Sequence, residues 1–172
     1  MTELSSLILG RIRDVPDYPK PGVLFKDITP LLADPAVFAA VIEELAGMYE
    51  VDKIAGIEAR GFILAAPAAL RAGVGFVPVR KKGKLPSETH EESYDLEYGS
   101  AVIEVHRDAF APGERVLIVD DVLATGGTAR AAVELVRRAG AEVVALAVLM
   151  ELAFLEGRER LTDVEVRSLV VV

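Results

Sequence analysis

The sequence contains no cysteine, which excludes disulfide bonds and thiolate chemistry and is typical of a reducing compartment. No apolar run reaches the length that spans a membrane, and the first residues, Met-Thr-Glu-Leu-Ser-Ser, lack the basic segment of a secretory signal. We therefore expect a cytoplasmic protein that has no membrane partner.

Positive charge is scarce, because 19 lysines and arginines are set against 27 aspartates and glutamates, and the net charge is −8. A protein of this sign is not expected to bind nucleic acid nonspecifically. A local cluster of cations in such a chain is therefore informative about a ligand.

Internal repeats, low-complexity tracts and long linkers are absent from the 172 residues, of which 52% are hydrophobic. This composition predicts one globular domain over residues 1–172. Aliphatic runs alternate with amphipathic segments, which predicts a doubly wound α/β fold with a mainly parallel sheet. Strands are expected at 54–57, 74–79, 116–119, 142–150 and 164–172, and helices at 4–15, 35–46, 62–72, 129–139 and about 152–161.

The most informative stretch predicts a strand, a turn and a helix in succession. The aliphatic run Val116–Val119 is typical of a strand buried on both faces, and Asp120 and Asp121 end that run. The small residues Thr125–Thr128 then form a turn that leads into an amphipathic helix. This arrangement aims backbone N–H groups and the positive end of a helix dipole at an anion.

Two common phosphate loops are excluded at this turn. A P-loop needs a lysine, and none lies between Asp120 and Arg130; a dinucleotide fingerprint needs three spaced glycines, and Gly126 and Gly127 are adjacent. Two carboxylates beside the turn would repel a bare phosphate. A phosphorylated sugar removes the conflict, because the acidic pair can accept hydrogen bonds from ribose hydroxyls or help retain magnesium.

The densest basic cluster is Arg80-Lys-Lys-Gly-Lys84, which follows the strand predicted at 74–79. It should therefore lie at the ligand edge of the sheet, where an anion with several charges, such as pyrophosphate, is its natural partner. A solvated loop is the alternative interpretation.

The polar stretch between Leu85 and Leu96 shows neither helical nor strand periodicity. Such a segment inside a compact domain is often a lid, and a lid would keep water from a reactive ribosyl centre. We predict a flexible lid loop over about residues 81–97.

The acidic pair followed by Thr-Gly-Gly-Thr resembles the signature of the type I phosphoribosyltransferases, whose ribosyl donor is 5-phosphoribosyl-1-pyrophosphate (PRPP). The resemblance implies that family's mainly parallel α/β fold, with a small N-terminal hood over about residues 1–34. Further segments are similar to those of the adenine-using members: Pro21–Pro30, Ile57–Phe62, Val79–Pro86 and Ser93–Gly99.

The resemblance also implies roles for individual residues. Phe25 would stack on the purine, while Leu24 and Lys26 would contact the base through backbone groups. Glu97 would act as general acid or base on the imidazole protons of adenine. The residues implied in binding PRPP or pyrophosphate are Arg60, Arg80, Lys81, Lys84, Asp120, Asp121, Ala124, Thr125, Gly126, Gly127 and Thr128.

The implied reaction converts adenine and PRPP to AMP and pyrophosphate, in purine salvage by a homodimer. Part of the basic cluster would reach across the dimer interface. The implied cofactor is magnesium, held mainly by the substrate and not by direct protein ligands. Three other interpretations stay open: a phosphoribosyltransferase for another purine base, a noncatalytic PRPP-binding regulator, and a sugar-phosphate-binding module without chemistry.

Overall fold

The computed structural model describes residues 2–95 and 99–172. Its helices are α1 (Glu3–Leu9), α2 (Thr29–Ala33), α3 (Pro35–Gly47), α4 (Arg60–Ala72) and α5 (Gly127–Arg138). Its strands are β1 (Arg13–Pro16), β2 (Leu24–Asp27), β3 (Lys53–Ile57), β4 (Gly75–Lys81), β5 (Thr89–Asp95), β6 (Ser100–His106), β7 (Arg115–Leu123), β8 (Glu142–Glu151) and β9 (Val166–Val171). Two 3-10 turns, Ala153–Leu155 and Gly157–Leu161, lie between β8 and β9.

A seven-stranded sheet in the order β5-β6-β4-β3-β7-β8-β9 organises the described part of the chain. Strands β4, β3, β7, β8 and β9 are parallel, whereas β6 pairs antiparallel with both β4 and β5. This confirms the prediction of a mainly parallel sheet. Strands β1 and β2 form a separate antiparallel ribbon near the N-terminus.

Residues Val116–Val119 of the central strand β7 are aliphatic without interruption because helices cover both faces of the sheet there. Val116 and Ile118 pack into the core on the α5 side. Leu117 and Val119 pack into the opposite core, which contains side chains of α1, α3 and α4. Successive side chains of a strand point to opposite faces, so a strand between two cores needs apolar residues at every position.

The start of α3 follows the capping chemistry expected from its sequence. The Asp34 carboxylate accepts hydrogen bonds from the backbone N–H groups of Ala36 and Val37, and Pro35 occupies the first helical position. Within the described residues, no helix has the length and hydropathy needed to cross a membrane.

Two predicted helices are wrong in the structure. The first helix was expected over residues 4–15 but ends at Leu9, because Arg13–Pro16 extend to pair with β2. The helix expected over about 152–161 is replaced by the two 3-10 turns, which are separated by Glu156 in the left-handed conformation with φ 54°. That backbone conformation interrupts a right-handed helix.

The absence of strand periodicity predicted for the polar stretch is also wrong, because Thr89–Asp95 form β5 along β6. From His90 to Asp95, half-buried and exposed positions alternate along β5, and the half-buried ones are His90, Glu92 and Tyr94. Arg138 of α5 donates to the Glu92 carboxylate, so a charged side chain can occupy an inward position of this strand. Lid motion of the segment stays a prediction.

Candidate active site

A cavity of about 370 Å³ opens where β3, β4 and β7 end and α5 begins. The carboxyl ends of parallel strands are the usual ligand edge of such a sheet. The lining residues are Glu58, Ala59, Arg60, Lys81, Tyr94 and Asp120–Ala129. The structure thus brings Arg60, Lys81, Asp120, Asp121 and Ala124–Thr128, all predicted as PRPP-binding residues, to one cavity.

The turn before α5 directs main-chain donors toward this cavity. Gly126 caps the helix with φ 80°, a left-handed conformation that glycine adopts without steric cost. The Gly126 carbonyl accepts the first helical hydrogen bond from the Arg130 N–H at 2.9 Å. The N–H groups of the first turn are therefore available, together with the helix dipole, to bind an anionic group.

The acidic pair lies inside β7, whereas the sequence suggested that it ends the strand. Strand β7 continues to Leu123 because Asp120 and Val122 stay in register with β8. The Asp120 carboxylate accepts a hydrogen bond from the Asp121 N–H at 2.8 Å. Both residues nevertheless line the cavity, so the extension of the strand leaves the predicted site intact.

Asp121 is only 4% exposed, and its Oδ2 lies 2.9 Å from Arg60 Nε. That oxygen has no partner with hydrogen-bond geometry among the described residues. A buried carboxylate oxygen of this kind is an acceptor available to a ribose hydroxyl or a cation.

The carboxyl groups of the pair are hard to ionise. Burial, followed by the charge of Asp121, raises the pKa of Asp120 well above its usual value. Burial also raises the pKa of Asp121, although the Arg60 charge opposes that effect. Two buried carboxylates this close repel each other when both are ionised. The pair therefore favours keeping a proton until a positively charged ligand binds beside it.

Gly61 allows α4 to approach the acidic pair closely. A Cβ atom at Gly61 would lie 2.9 Å from Asp120 Oδ1 and 2.9 Å from the Val119 carbonyl oxygen. The Glu58–Ala59 peptide just before α4 is cis, a feature that the sequence did not reveal. The glycine thus places the start of α4, and Arg60 with it, against β7.

Arg60 also links the cavity to the N-terminal ribbon. Its guanidinium lies 5.2 Å from the centroid of the Phe25 ring, and that ring forms a T-shaped pair with the ring of Tyr18. Leu24, Phe25 and Lys26 lie on β2 but do not line the cavity. The Lys26 ammonium turns to Asp14 at 2.7 Å, which leaves its side chain directed at the neighbouring strand.

Glu58 organises the basic cluster, and sequence reasoning gave this residue no role. Its carboxylate binds Arg80 Nε at 3.3 Å, Lys84 Nζ at 2.9 Å and the Lys81 N–H at 3.0 Å. Burial raises the pKa of Glu58, but the hydrogen bonds from Lys84 and the Lys81 N–H and the Lys84 charge outweigh it and lower the pKa to about 2. Glu58 therefore stays ionised and holds two cations beside the cavity, while Lys81 lines it.

The sequence model of the phosphoribosyl transferase domain family matches residues 27–171. This stretch includes the β7–α5 loop, the acidic pair and the basic cluster. The chain belongs to the phosphoribosyl transferase family.

Relatives within this family carry a more specific name. The chain is 63% identical over 174 residues to the adenine phosphoribosyltransferase of Thermobifida fusca, with 99% of each chain covered. The adenine phosphoribosyltransferase structure from Rhodothermus marinus has a TM-score of 0.93 and 52% identity, with 98% of each chain covered. The Saccharomyces cerevisiae enzyme, solved with adenine and an imino-altritol bisphosphate, has a TM-score of 0.92 and 39% identity, with 98% of this chain and 99% of that chain covered.

These similarities confirm the predicted type I phosphoribosyltransferase fold. Glu97, predicted as the catalytic residue of this family's chemistry, lies outside the described residues. Tyr94 lines the cavity but was not predicted to do so. Its signal was the weak alternation of β5, which polar side chains obscured.

The fit of magnesium can be judged from the carboxylates at the site. Within residues 2–95 and 99–172, no group of three or more acidic, histidine or cysteine side chains could hold a metal ion. Asp120 and Asp121 supply two carboxylates at the cavity. One or two carboxylates together with substrate phosphates are a usual environment for magnesium, so the pair fits an ion held mainly by the diphosphate.

Proposed function

We propose that the protein transfers the 5-phosphoribosyl group from PRPP to adenine and yields AMP and pyrophosphate. The observation that carries this proposal is the single cavity that combines a glycine turn at a helix N-terminus, a buried acidic pair and two cations. A ligand with a terminal phosphate, vicinal hydroxyls and a diphosphate matches all three features. The names and high identity of the relatives favour adenine as the acceptor.

Different residues of the cavity bind different parts of the donor, PRPP. Main-chain N–H groups of Ala124–Thr128 and the α5 dipole bind the 5-phosphate. Asp120 and Asp121 accept hydrogen bonds from the ribose hydroxyls. Arg60 and Lys81 bind the diphosphate, and Glu58 keeps Arg80 and Lys84 close by.

The reaction is a displacement at ribose C1. The bond from C1 to the pyrophosphate oxygen breaks while adenine N9 bonds to C1, and the N9 proton is released to Glu97 as general base. Positive charge develops on the ribose, and the carboxylates of Asp120 and Asp121 stabilise it. When bound with the diphosphate, magnesium supplies positive charge that stabilises the leaving group.

Phe25 provides the stacking surface for adenine in this proposal. Its ring is held at the edge of the site by Tyr18 and Arg60. Leu24 and Lys26 contact the base through their backbone groups, which agrees with the engagement of the Lys26 ammonium by Asp14. Residues 1–34 form the hood over the base, and residues 81–97 form a lid that excludes water.

The working form is a cytoplasmic homodimer of single-domain subunits. Ile63 and Leu70 of α4 support an interface, because they are 42% and 83% exposed although apolar. They are seven residues apart and therefore lie about two turns apart on one side of the helix.

A panel of bases tests the proposed function. The protein is incubated with PRPP, magnesium and one of adenine, hypoxanthine, guanine or xanthine, and the nucleotides are separated by chromatography. We expect AMP with adenine and little product with the other bases. Equal turnover of hypoxanthine would contradict the acceptor, and PRPP binding without any nucleotide would favour the noncatalytic regulator.

A further inference from the structure

The 3-10 turn Gly157–Leu161 lies directly against the loop that precedes α5. A Cβ atom at Gly157 would lie 2.1 Å from the Ala124 carbonyl oxygen and 2.9 Å from the Gly126 nitrogen. A Cβ atom at Gly126 would lie 2.3 Å from the Gly157 carbonyl oxygen. The two backbones are therefore in contact at a distance that only paired glycines permit.

A half-buried ion pair fixes this turn to the end of the sheet. Arg158 Nε and Nη2 donate to the two oxygens of the Glu151 carboxylate at 3.0 and 2.5 Å, a bidentate arrangement. Arg158 Nη1 donates to the Val166 carbonyl at 2.8 Å, and the Ser168 hydroxyl donates to Glu151 at 2.5 Å. Glu151 is 7% exposed, so this contact is shielded from solvent on its acidic side.

Glu151 of this ion pair also lies beside the start of the loop. Glu151 is the last residue of β8 and is in register with Leu123, which ends β7 just before the loop. The Leu152 N–H donates to the Leu123 carbonyl at 2.9 Å. The loop is thus contacted at its root by β8 and at Ala124 and Gly126 by the turn that Arg158 holds.

A loop made of alanine, threonine and glycine has little side-chain bulk to hold its own backbone. Glycine gives up more conformational freedom on ordering than any other residue, and a ligand that must order a loop loses affinity. A rigid neighbour that orders the loop beforehand removes this cost.

We propose that Gly157, Arg158 and Glu151 form a brace that positions the β7–α5 loop and sets its affinity for the 5-phosphate. The inference deepens the proposed function and relies on it only for the identity of the ligand. Since none of the three residues lines the cavity, they are positioning residues and not catalytic residues.

Gly157→Ala tests the contact directly. Gly157 does not have a positive φ, so the added methyl group acts through its clash with the Ala124 carbonyl and not through backbone strain. A displacement of about 1 Å in a positioning element can cost up to about 100-fold, and we expect the KM for PRPP to rise at least about tenfold. The KM for adenine should stay within about twofold, since a change confined to one substrate identifies the affected subsite.

Gly47→Ala is the matched control. Gly47 is the last residue of α3, and a Cβ atom there would meet nothing within 4 Å. We expect its KM for PRPP to equal that of the wild type within about twofold.

Arg158→Lys is the second variant, because it keeps the charge but loses the bidentate contact with Glu151. We expect faster hydrogen exchange at the amides of residues 124–128 and an increase of about threefold to tenfold in the Kd for ribose 5-phosphate. Circular dichroism and a thermal melt establish that each variant is folded at the assay temperature. Arg158→Ala should weaken binding further, so that lysine partly rescues it.

Direct binding of ribose 5-phosphate, measured by calorimetry, separates this inference from the proposed function. If the wild type binds it, forms no AMP, and Gly157→Ala weakens the binding, the brace is supported and the proposed function fails. Wild-type affinity in folded Gly157→Ala or in folded Arg158→Lys overturns the brace. A lowered melting temperature with unchanged affinity would mean that these residues only stabilise the fold.

Discussion

Among single residues, Lys81 and Lys82 offer the sharpest comparison at the basic cluster. Lys81 lines the cavity, whereas Lys82 pairs with Glu91 at 2.7 Å and does not line it. We expect Lys81→Ala to raise the KM for PRPP about tenfold and to reduce its dependence on salt, because one cation no longer faces the diphosphate. Lys82→Ala should change neither quantity by more than about twofold. Equal effects of the two variants in steady-state assays at several salt concentrations would contradict the assignment of Lys81.

The acidic pair predicts a dependence of stability on pH. The raised pKa values mean that the native carboxyls keep protons that the unfolded chain has already released. The free energy of unfolding should therefore fall as the pH rises from the ordinary carboxyl pKa of 3.8 through the raised native values. Asp121→Asn removes one of the charges, so the slope should shrink and stability near pH 7 should not decrease.

The same Asp121→Asn variant should lower kcat/KM for PRPP about 10- to 100-fold, because the amide no longer provides a charged acceptor for the ribose. Urea denaturation across the pH range and initial rates near pH 7 check both expectations. Asp108→Asn is the control, since Asp108 is exposed and lies outside the cavity. Wild-type PRPP kinetics in Asp121→Asn would remove the pair from the site.

The sequence predicted the residues of the β7–α5 loop better than it predicted the residues that contact the site from distant segments. Asp120, Asp121 and Ala124–Thr128 all lie within one short segment, residues 120–128, so their proximity follows from the chain itself. The roles of Glu58 and Gly157 were not predicted, because each depends on contacts with segments distant in sequence. A single carboxylate or glycine carries no pattern that identifies such a contact.

At the level of elements, periodicity identified the parallel strands and the long helices but failed in short or polar segments. Strand β7 has a local signal in its aliphatic run Val116–Val119. Helix α3 has one in its Asp34-Pro35 cap. Strand β5 has polar residues at its half-buried positions, and β1 has only four residues. β5 and β1 form strands because they pair with β6 and β2. A local sequence pattern does not contain this pairing.

Helix α5 is tied to the segment before β9 by Asp163. Its carboxylate accepts from Arg130 at 2.5 Å and from Arg137 at 2.6 Å, and the hydrogen bonds from Arg137 and then Arg130 lower the pKa of Asp163 to about 2. A depressed pKa contributes stability above the unfolded value of 3.8, and this contribution is lost as the pH falls toward about 2. We expect Asp163→Asn to lower the melting temperature equally at pH 7 and pH 5.

The difference in melting temperature between Asp163→Asn and the wild type should narrow below pH 3.8, because the unfolded wild-type chain takes up a proton there while the native carboxylate, with its pKa of about 2, stays ionised. Thermal melts in low salt at closely spaced pH values check this, and Glu159→Gln on the exposed part of the neighbouring turn is a control. A difference that stays constant down to pH 3 would mean that the two ion pairs contribute little to stability.

For the whole molecule, the site is a product of topology. Strands β3 and β7 are neighbours in the sheet, although about 60 residues separate them in sequence, and their parallel ends bring Arg60 to Asp121. The alternation of strands and helices predicted this convergence, because a doubly wound sheet collects its strand ends at one edge. It could not predict which side chains would pair there.

The proposed homodimer gives the whole-molecule prediction. Leu70 is 83% exposed on α4, the helix that begins at Arg60 of the cavity, so an interface along α4 would place the two sites of a dimer on connected elements. In a dimer, the second subunit would remove Leu70 from water, and this burial would stabilise the interface. A glutamate at the same position would be buried without water or a cation beside it. We expect Leu70→Glu to shift the protein from dimer to monomer in light scattering after size exclusion.

Activity of the monomeric variant carries a further expectation. If part of the basic cluster acts across the interface, the KM for PRPP should rise on dissociation, and raising the protein concentration should partly restore it. Leu7→Glu, a similar change at an exposed leucine of α1, should leave both the dimer and the KM unchanged. If the Leu70→Glu variant is still a dimer, the interface does not lie at Leu70. If the variant is a fully active monomer, each subunit contains a complete site.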